Sequence, residues 1–208
     1  MQKFLVIDSA VTGAQSVSRK LTDGLVSALA GEEGAVVTRR DVGHTPIPHL
    51  TEATVGAIRG AEAESAEARA ALALSDTLVA ELFDADVIVV AVPMYNFGMP
   101  STLKAWFDHV LRAKVTFQYG ANGAEGLLKN KRAIIVSTRA GGYAEGDGAA
   151  MDSQEPHVRT LLGFMGITDV EVVRAEKLAF GPEVAETAIA DAGHALGRAV
   201  RAPLALAA

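Results

Sequence analysis

Val87-Ile-Val-Val-Ala-Val-Pro-Met-Tyr-Asn-Phe-Gly-Met-Pro100 is the stretch that decides how this chain folds. Its first six residues are apolar without a break and mostly β-branched. That is the pattern of a strand buried on both faces, as in the middle of a parallel sheet. Pro93 closes the run, because proline has no N–H to give a ladder. The residues that follow place Met94, Tyr95, Asn96 and Phe97 in a loop between two prolines. Large apolar side chains in a loop expose surface at a cost unless they cover something. A flat, amphipathic ring system suits them, with Met94, Tyr95 and Phe97 on its faces and Asn96 and the backbone at its polar edge. The competing reading is a proline-bracketed loop tucked into the core.

Working outward, four more short runs read as strands: Phe4–Ile7, Ala35–Thr38, Ala133–Val136 and Val170–Val173. Phe4–Ile7 and Ala133–Val136 are continuously apolar and belong inside the sheet. The other two are broken by polar residues, as edge strands are. Helical stripes lie between them. Leu21, Leu25 and Leu29 step by four, as do Leu74, Leu78 and Leu82. Ser101 can cap a helix carrying Leu103, Trp106, Phe107 and Val110. Val158, Leu161, Leu162 and Met165 form a further stripe. Pro182 can start a last helix with Val184, Ala188, Ala192, Leu196 and Val200 on one side. Ala61–Ala71 reads as the solvated start of a helix. Strand and helix alternate throughout, which predicts an α/β fold: a doubly wound parallel sheet of five strands with helices on both faces. The 208 residues suit one domain, residues 1–208.

The chain is half hydrophobic and carries a formal net charge of -6. That balance argues against a nucleic-acid partner, which calls for a basic surface. No cysteine is present, so disulfides and thiol chemistry are excluded. The five histidines show no metal-ligand spacing; His109 is expected at the surface or an interface. No apolar run reaches membrane-spanning length and Met1 leads straight into a strand pattern, so a cytoplasmic protein without a membrane partner is expected.

In a doubly wound sheet, ligands sit beyond the carboxyl ends of the strands. The loop after the first strand, Ser9–Ser18, is rich in hydroxyls and holds no Lys or Arg before its helix. A helix N-terminus can hold a phosphate without a cation, and Ser16 and Ser18 add hydroxyls; a capped helix in a solvated loop explains the same residues. The loop after the fourth strand, Ser137–Tyr143, has two glycines that permit close approach to a ligand, or simply make a flexible turn. The dinucleotide fingerprint and the P-loop are both absent, and Asp8 lacks the acidic cluster of a phospho-acceptor site. Two connections, Asp41–Glu64 and Ala113–Lys131, are read as long loops, which in a compact domain are more often functional than idle.

Pro93-Met-Tyr-Asn-Phe97 with Pro100, Leu103-Lys104 and Phe107-Asp108 resembles the FMN-dependent NADH:quinone oxidoreductases, also called FMN-dependent NADH-azoreductases. Further matches run in order along the chain: Val115-Thr-Phe117, Tyr119, Gly126-Leu127, Arg139, Leu162-Gly-Phe164 and Gly166-Ile-Thr-Asp169. The resemblance implies a flavodoxin-like fold with strand order 2-1-3-4-5 and a homodimer with active sites at the subunit interface. It implies bound FMN, with NADH or NADPH as electron donor and a quinone or azo compound as acceptor, in ping-pong order. The FMN phosphate contacts map onto Ser9, Ser16, Val17 and Ser18. The ring contacts map onto Pro93, Met94, Tyr95, Asn96 and Phe97, with Thr138, Arg139, Ala140 and Gly141. The third loop reads Thr-Arg-Ala-Gly-Gly where the family form is Ser-Arg-Gly-Gly, so its register is open by one residue. Tyr119 and Phe164 are candidates for the acceptor platform and Arg59 for a nicotinamide phosphate. Hydride transfer requires no general acid or base, so no catalytic residue and no metal are assigned. The rivals are a flavodoxin-type electron carrier and a binding module that keeps the fold without the cofactor.

Overall fold

The computed structural model describes residues 1–121 and 123–202. Its elements are β1 (Gln2–Asp8), α1 (Val17–Leu29), β2 (Ala35–Asp41), α2 (Glu52–Ile58), α3 (Ala66–Asp84), β3 (Val87–Pro93), α4 (Ser101–Val110), β4 (Phe117–Gly120), β5 (Gly123–Gly126), β6 (Arg132–Thr138), α5 (Glu155–Phe164), β7 (Asp169–Ala175) and α6 (Pro182–Ala199). Five strands form one parallel sheet in the order β2-β1-β3-β6-β7. With the β4–β5 hairpin left aside, that is the order 2-1-3-4-5. All seven residues of β3 and of β6 are buried, which the apolar runs Val87–Val92 and Ala133–Val136 predict, and in β6 the burial extends to Arg132, Ser137 and Thr138.

Alternation along the strands sorts the core into two layers. Leu5, Ile7, Ile88, Val90, Ala133 and Ile135 face α3, α4 and α5, meeting Leu78, Leu82, Trp106, Phe107, Val158 and Leu162. Phe4, Val6, Val87, Val89, Ile134 and Val136 face α1 and α6, meeting Leu21, Leu25, Ala192 and Leu196. Burial of each leucine contributes about 1.5–3 kcal/mol. The α1 stripe therefore outweighs the roughly 1 kcal/mol cost of Gly24 inside that helix. Trp106 is a core residue, its ring edge-on to Phe107 at 4.9 Å.

Five expectations are corrected. Asp41–Glu64 contains α2, whose capping box pairs Thr51 with Thr54 and which buries Ala57 and Ile58. His109 is buried rather than on the surface, and its Nε2–H donates to the Pro48 carbonyl at 2.9 Å, pinning that segment. Ser101 is the first residue of α4 and Pro100 its N-cap. Val184, at the start of α6, is exposed because the stripe overhangs the sheet.

Ala113–Lys131 is likewise not an open loop, since it carries the antiparallel β4–β5 hairpin. The hairpin is seated on the end of α5. Leu128 N–H bonds to the Met165 carbonyl at 2.9 Å. Gly126 passes so close to Gly166 that a Cβ on it would lie 2.0 Å from the Gly166 nitrogen. Gly166 itself has φ 103°, a conformation that side chains disfavour. Two glycines thus fix where the hairpin sits.

Candidate functional site

At the carboxyl end of β1 the chain turns through residues 9–16 into α1. Ser16 caps the helix by accepting the Arg19 N–H at 3.3 Å, and its Oγ lies 3.0 Å from the Ser18 Oγ. The amides of Val17 and Ser18 have no acceptor among the described residues. Two free N–H groups on a helix axis, flanked by two hydroxyls, make an anion cradle. No cation completes it. Arg19 is paired with Asp41. Burial alone would raise the Asp41 carboxyl, but Arg19 and the amides of His44 and Gly43 outweigh it and hold the carboxyl below its ordinary range. Ser9 lies beneath the cradle, fully buried, and spends its hydroxyl proton on the Ala91 carbonyl at 2.7 Å.

The loop after β3 is a tight hairpin turn. Tyr95 and Gly98 exchange backbone hydrogen bonds of 2.9 and 3.0 Å. The two residues between them are both left-handed, Asn96 at φ 48° and Phe97 at φ 70°. That is the geometry of a type I′ turn, which suits asparagine in its first central place and glycine in its second. Phenylalanine in the second place costs of order 1–3 kcal/mol, and such strain persists where the surroundings over-determine it. The surroundings do so here. Met94 N–H bonds to the Thr138 carbonyl at 2.9 Å, and the Phe97 carbonyl accepts the Ser153 N–H at 3.0 Å. The Tyr95 hydroxyl accepts the Val11 N–H at 3.2 Å, tying this loop to the first. The Phe97 ring stands edge-on to Tyr143 at 6.1 Å. The amides of Asn96 and Phe97 and the Asn96 side chain have no partner among the described residues.

The third loop, after β6, is laced to residues 175–179. Arg139 N–H bonds to the Ala175 carbonyl, Lys177 N–H to the Gly141 carbonyl and Ala179 N–H to the Ala140 carbonyl. The Arg139 side chain is buried. Its guanidinium donates to Gln154 at 2.7 Å, to Asp152 at 2.7 Å and to Glu176 at 2.9 Å. Its part in the site is therefore to brace the loop from below.

Between the three loops lies an open cleft of about 250 Å³. Of the residues that the resemblance implies for the cofactor, Ser16, Val17, Pro93, Tyr95, Thr138, Arg139 and Ala140 line it, together with Thr12, Gln15, Leu178 and Ala179, which the sequence reading did not name. Asn96 and Phe97 stand exposed beyond the lining residues, Phe97 at 46%. Met94 and Gly141 are half-buried and Ser18 is buried. Tyr119, Phe164 and Arg59 are not among the lining residues. Tyr119 is 74% exposed on β4 and continues through Phe117 to Phe164, with ring centroids 5.7 and 4.7 Å apart. Arg59 is exposed at the end of α2 and has no ion-pair partner among the described residues. The sequence reading also passed over Asp152 and Gln154. Asp152 Oδ1 accepts the amides of Gln154 and Glu155 and so caps α5. An acidic residue shortly before Glu155-Pro156 is a helix-start signal that could have found it.

This sheet order with a cleft at the strand tips defines a flavodoxin-like protein, and residues 2–200 match the family model for the flavodoxin-like fold, Flavodoxin_2. The "FMN-dependent NADH:quinone oxidoreductase" of Hyphomonas neptunium is 49% identical over 193 residues, which cover 92% of each chain. The azoreductase of Bacillus anthracis str. Sterne superposes with a TM-score of 0.86 at 26% identity, covering 96% of this chain and 98% of that one. An FMN-dependent NADH-azoreductase of Bacillus anthracis, solved in complex with FMN, superposes with a TM-score of 0.85 at 23% identity, covering 96% and 99%. At that identity the likeness concerns the fold. The chain is an enzyme of the FMN-dependent NADH:quinone oxidoreductase family.

Proposed function

We propose that this chain binds FMN in the strand-end cleft and passes two electrons from NADH or NADPH to quinones, and to azo compounds that it cleaves reductively. The observation that carries the reading is the pair of free donor sets. The free amides of Val17 and Ser18 belong to the loop that lines one part of the cleft with Ser16 and Val17, and those of Asn96 and Phe97 to the turn that follows the lining residues Pro93 and Tyr95. The donor chemistry fits the group. The α1 cradle, with Ser16 and Ser18 hydroxyls above buried Ser9, takes the phosphate. Pro93–Phe97 and Thr138–Gly141 take the ring.

FMN, when bound, supplies the two-electron redox chemistry. The protein supplies position and electrostatics. Asn96 and Phe97 would offer fixed N–H dipoles to a polar, electron-rich edge of the ring. Because the turn is already pinned, those dipoles need no reorganisation at the moment of reaction. No side chain is required as a general acid or base. Donor and acceptor use the same face in turn, in ping-pong order. The Tyr119–Phe117–Phe164 row of one subunit covers the cleft of the other in a cytoplasmic homodimer. The exposure of Tyr119 on the hairpin, outside the residues lining its own cleft, supports this. Arg59, free of any ion pair, serves the phosphate of the nicotinamide donor.

The purified protein is expected to be yellow with one FMN per chain and to bleach rapidly when NADH is added without oxygen. A yellow protein that NADH leaves oxidised is an electron carrier. A colourless protein that FMN cannot reconstitute sinks the enzyme reading.

A further inference from the structure

The segment between β6 and α5 is joined to the cleft by one buried side chain. Gln154 has no solvent exposure. Its amide oxygen accepts the Ser137 hydroxyl at 2.8 Å and the Arg139 Nε–H at 2.7 Å. Its amide nitrogen donates to the Val92 carbonyl at 2.7 Å. Val92 and Ser137 face one another across the β3–β6 ladder. One side chain thus clamps the carboxyl ends of the two central strands, where the two ring-holding loops begin.

The residue is itself held. Its backbone N–H bonds to Asp152 Oδ1 at 2.8 Å, and Asp152 Oδ2 meets the Arg139 guanidinium at 2.7 Å. The preceding residue, Ser153, donates its N–H to the Phe97 carbonyl. A continuous path therefore runs from Arg139 and Gln154 through Ser153 to the strained turn. Without that path, nothing among the described residues bonds to the backbone of Asn96 or Phe97.

We propose that Gln154 is a positioning residue for this site: it clamps β3 to β6 so that Ser153 holds the Asn96–Phe97 turn in its left-handed form before any ligand arrives. The proposal rests on the reading of the cleft as the FMN site only for its effect on flavin binding. The clamp itself belongs to the ligand-free chain. The chemistry selects glutamine. A glutamate could accept from Ser137 and Arg139 but would turn an acceptor toward the Val92 carbonyl. A methionine of similar length would leave the Ser137 hydroxyl and the Arg139 Nε–H buried without this acceptor, and each such group carries a penalty; the Val92 carbonyl would keep only its place in the β3–β6 ladder. Arg139 cannot replace the clamp, because its remaining donors are engaged by Asp152 and Glu176.

The test compares Gln154→Glu and Gln154→Met with Leu196→Ala, a core variant on the opposite face of the sheet. Hydrogen exchange of the ligand-free proteins is read at the Ser153 amide. FMN dissociation constants are measured for the oxidised and the reduced flavin. In the unaltered protein the Ser153 amide is expected to exchange as slowly as the β3 amides, and in both Gln154 variants faster. Oxidised FMN should bind about tenfold more weakly in both. Reduced FMN should lose more than that, since the turn's dipoles favour the anionic form, and the midpoint potential should fall. Leu196→Ala should lower the melting temperature and leave both the Ser153 exchange and the ratio of the two constants unchanged.

Equal losses for both flavin forms, or a shifted ratio in Leu196→Ala, would reduce Gln154 to a structural residue and overturn the proposal. If the Gln154 variants do not fold, exchange in the unaltered protein still decides. A Ser153 amide that exchanges like a surface loop refutes the clamp. If the unaltered protein binds no FMN, the functional reading fails while the exchange data continue to test the clamp.

Discussion

Replacing Phe97 by glycine and, separately, by alanine isolates the backbone strain of the turn. Both substitutions delete the ring and its edge-on contact with Tyr143, so that loss cancels when the two variants are compared. What remains is φ 70° at position 97. Holding an L-residue there costs roughly 1–2 kcal/mol that glycine escapes. Glycine in turn gives up roughly 0.5–1 kcal/mol of extra chain entropy on folding. The balance favours Phe97→Gly over Phe97→Ala by about 0.5–1 kcal/mol, reversing the usual order of these two residues. It also makes the pair Asn-Gly, the preferred type I′ sequence. Urea unfolding of the two ligand-free variants measures the difference directly. At about 2–4 °C per kcal/mol for a chain of this size, it also appears as a higher melting temperature. If Phe97→Ala is as stable as Phe97→Gly, the turn is not left-handed in solution, and its pre-set amides lose their basis.

Three further outcomes follow from the geometry. Asn96→Ala should leave the circular dichroism spectrum intact while NADH:quinone turnover falls about tenfold, on the scale of weakening one oriented donor; unchanged turnover would remove this side chain from the site. Burial lowers His109 below the ordinary histidine range despite its bond to Pro48 and the nearby Asp108. The unfolded chain therefore takes up a proton first as pH drops below about 6.5. The stability from the neutral ring is complete above that pH and is lost as pH falls through the depressed value, so His109→Gln should flatten unfolding free energy between pH 7.5 and 5.5. Gly126→Ala drives a Cβ into the Gly166 backbone and should displace the hairpin at a cost of about 1–3 kcal/mol. The KM for a quinone should rise, and an unaltered KM would separate the Tyr119 row from substrate binding.

The sheet was legible because its signal is dense. β3 is apolar throughout and β6 at its four central positions, and α1 runs over Val17–Leu29, ending at the last of its leucine steps. α2 was not legible, because its seven residues include a glycine, a valine and a threonine and carry no stripe. A capping box and the His109–Pro48 bond hold it, and only the second of these acts at long range. The hairpin escaped for a similar reason: glycines dominate its second strand, and what fixes it is a backbone meeting at residue 166. In the site, the loop after β3 showed through its unusual composition, but its two left-handed residues did not. Gln154 was invisible, since its partners lie 15, 17 and 62 positions away, a distance at which no local pattern survives.

The anion cradle at α1 has a corollary for salt. It offers two amides and a mutually bonded pair of hydroxyls, while the guanidiniums of Arg19 and Arg139 are both engaged by carboxylates. Dissolved ions weaken attraction between separated charges but hardly touch short contacts between a phosphate oxygen and an N–H or O–H. If the proposed cofactor phosphate sits there, its hold is expected to survive concentrated salt better than one made by lysines. Retention of the yellow colour through gel filtration in concentrated salt would support this reading of the first loop.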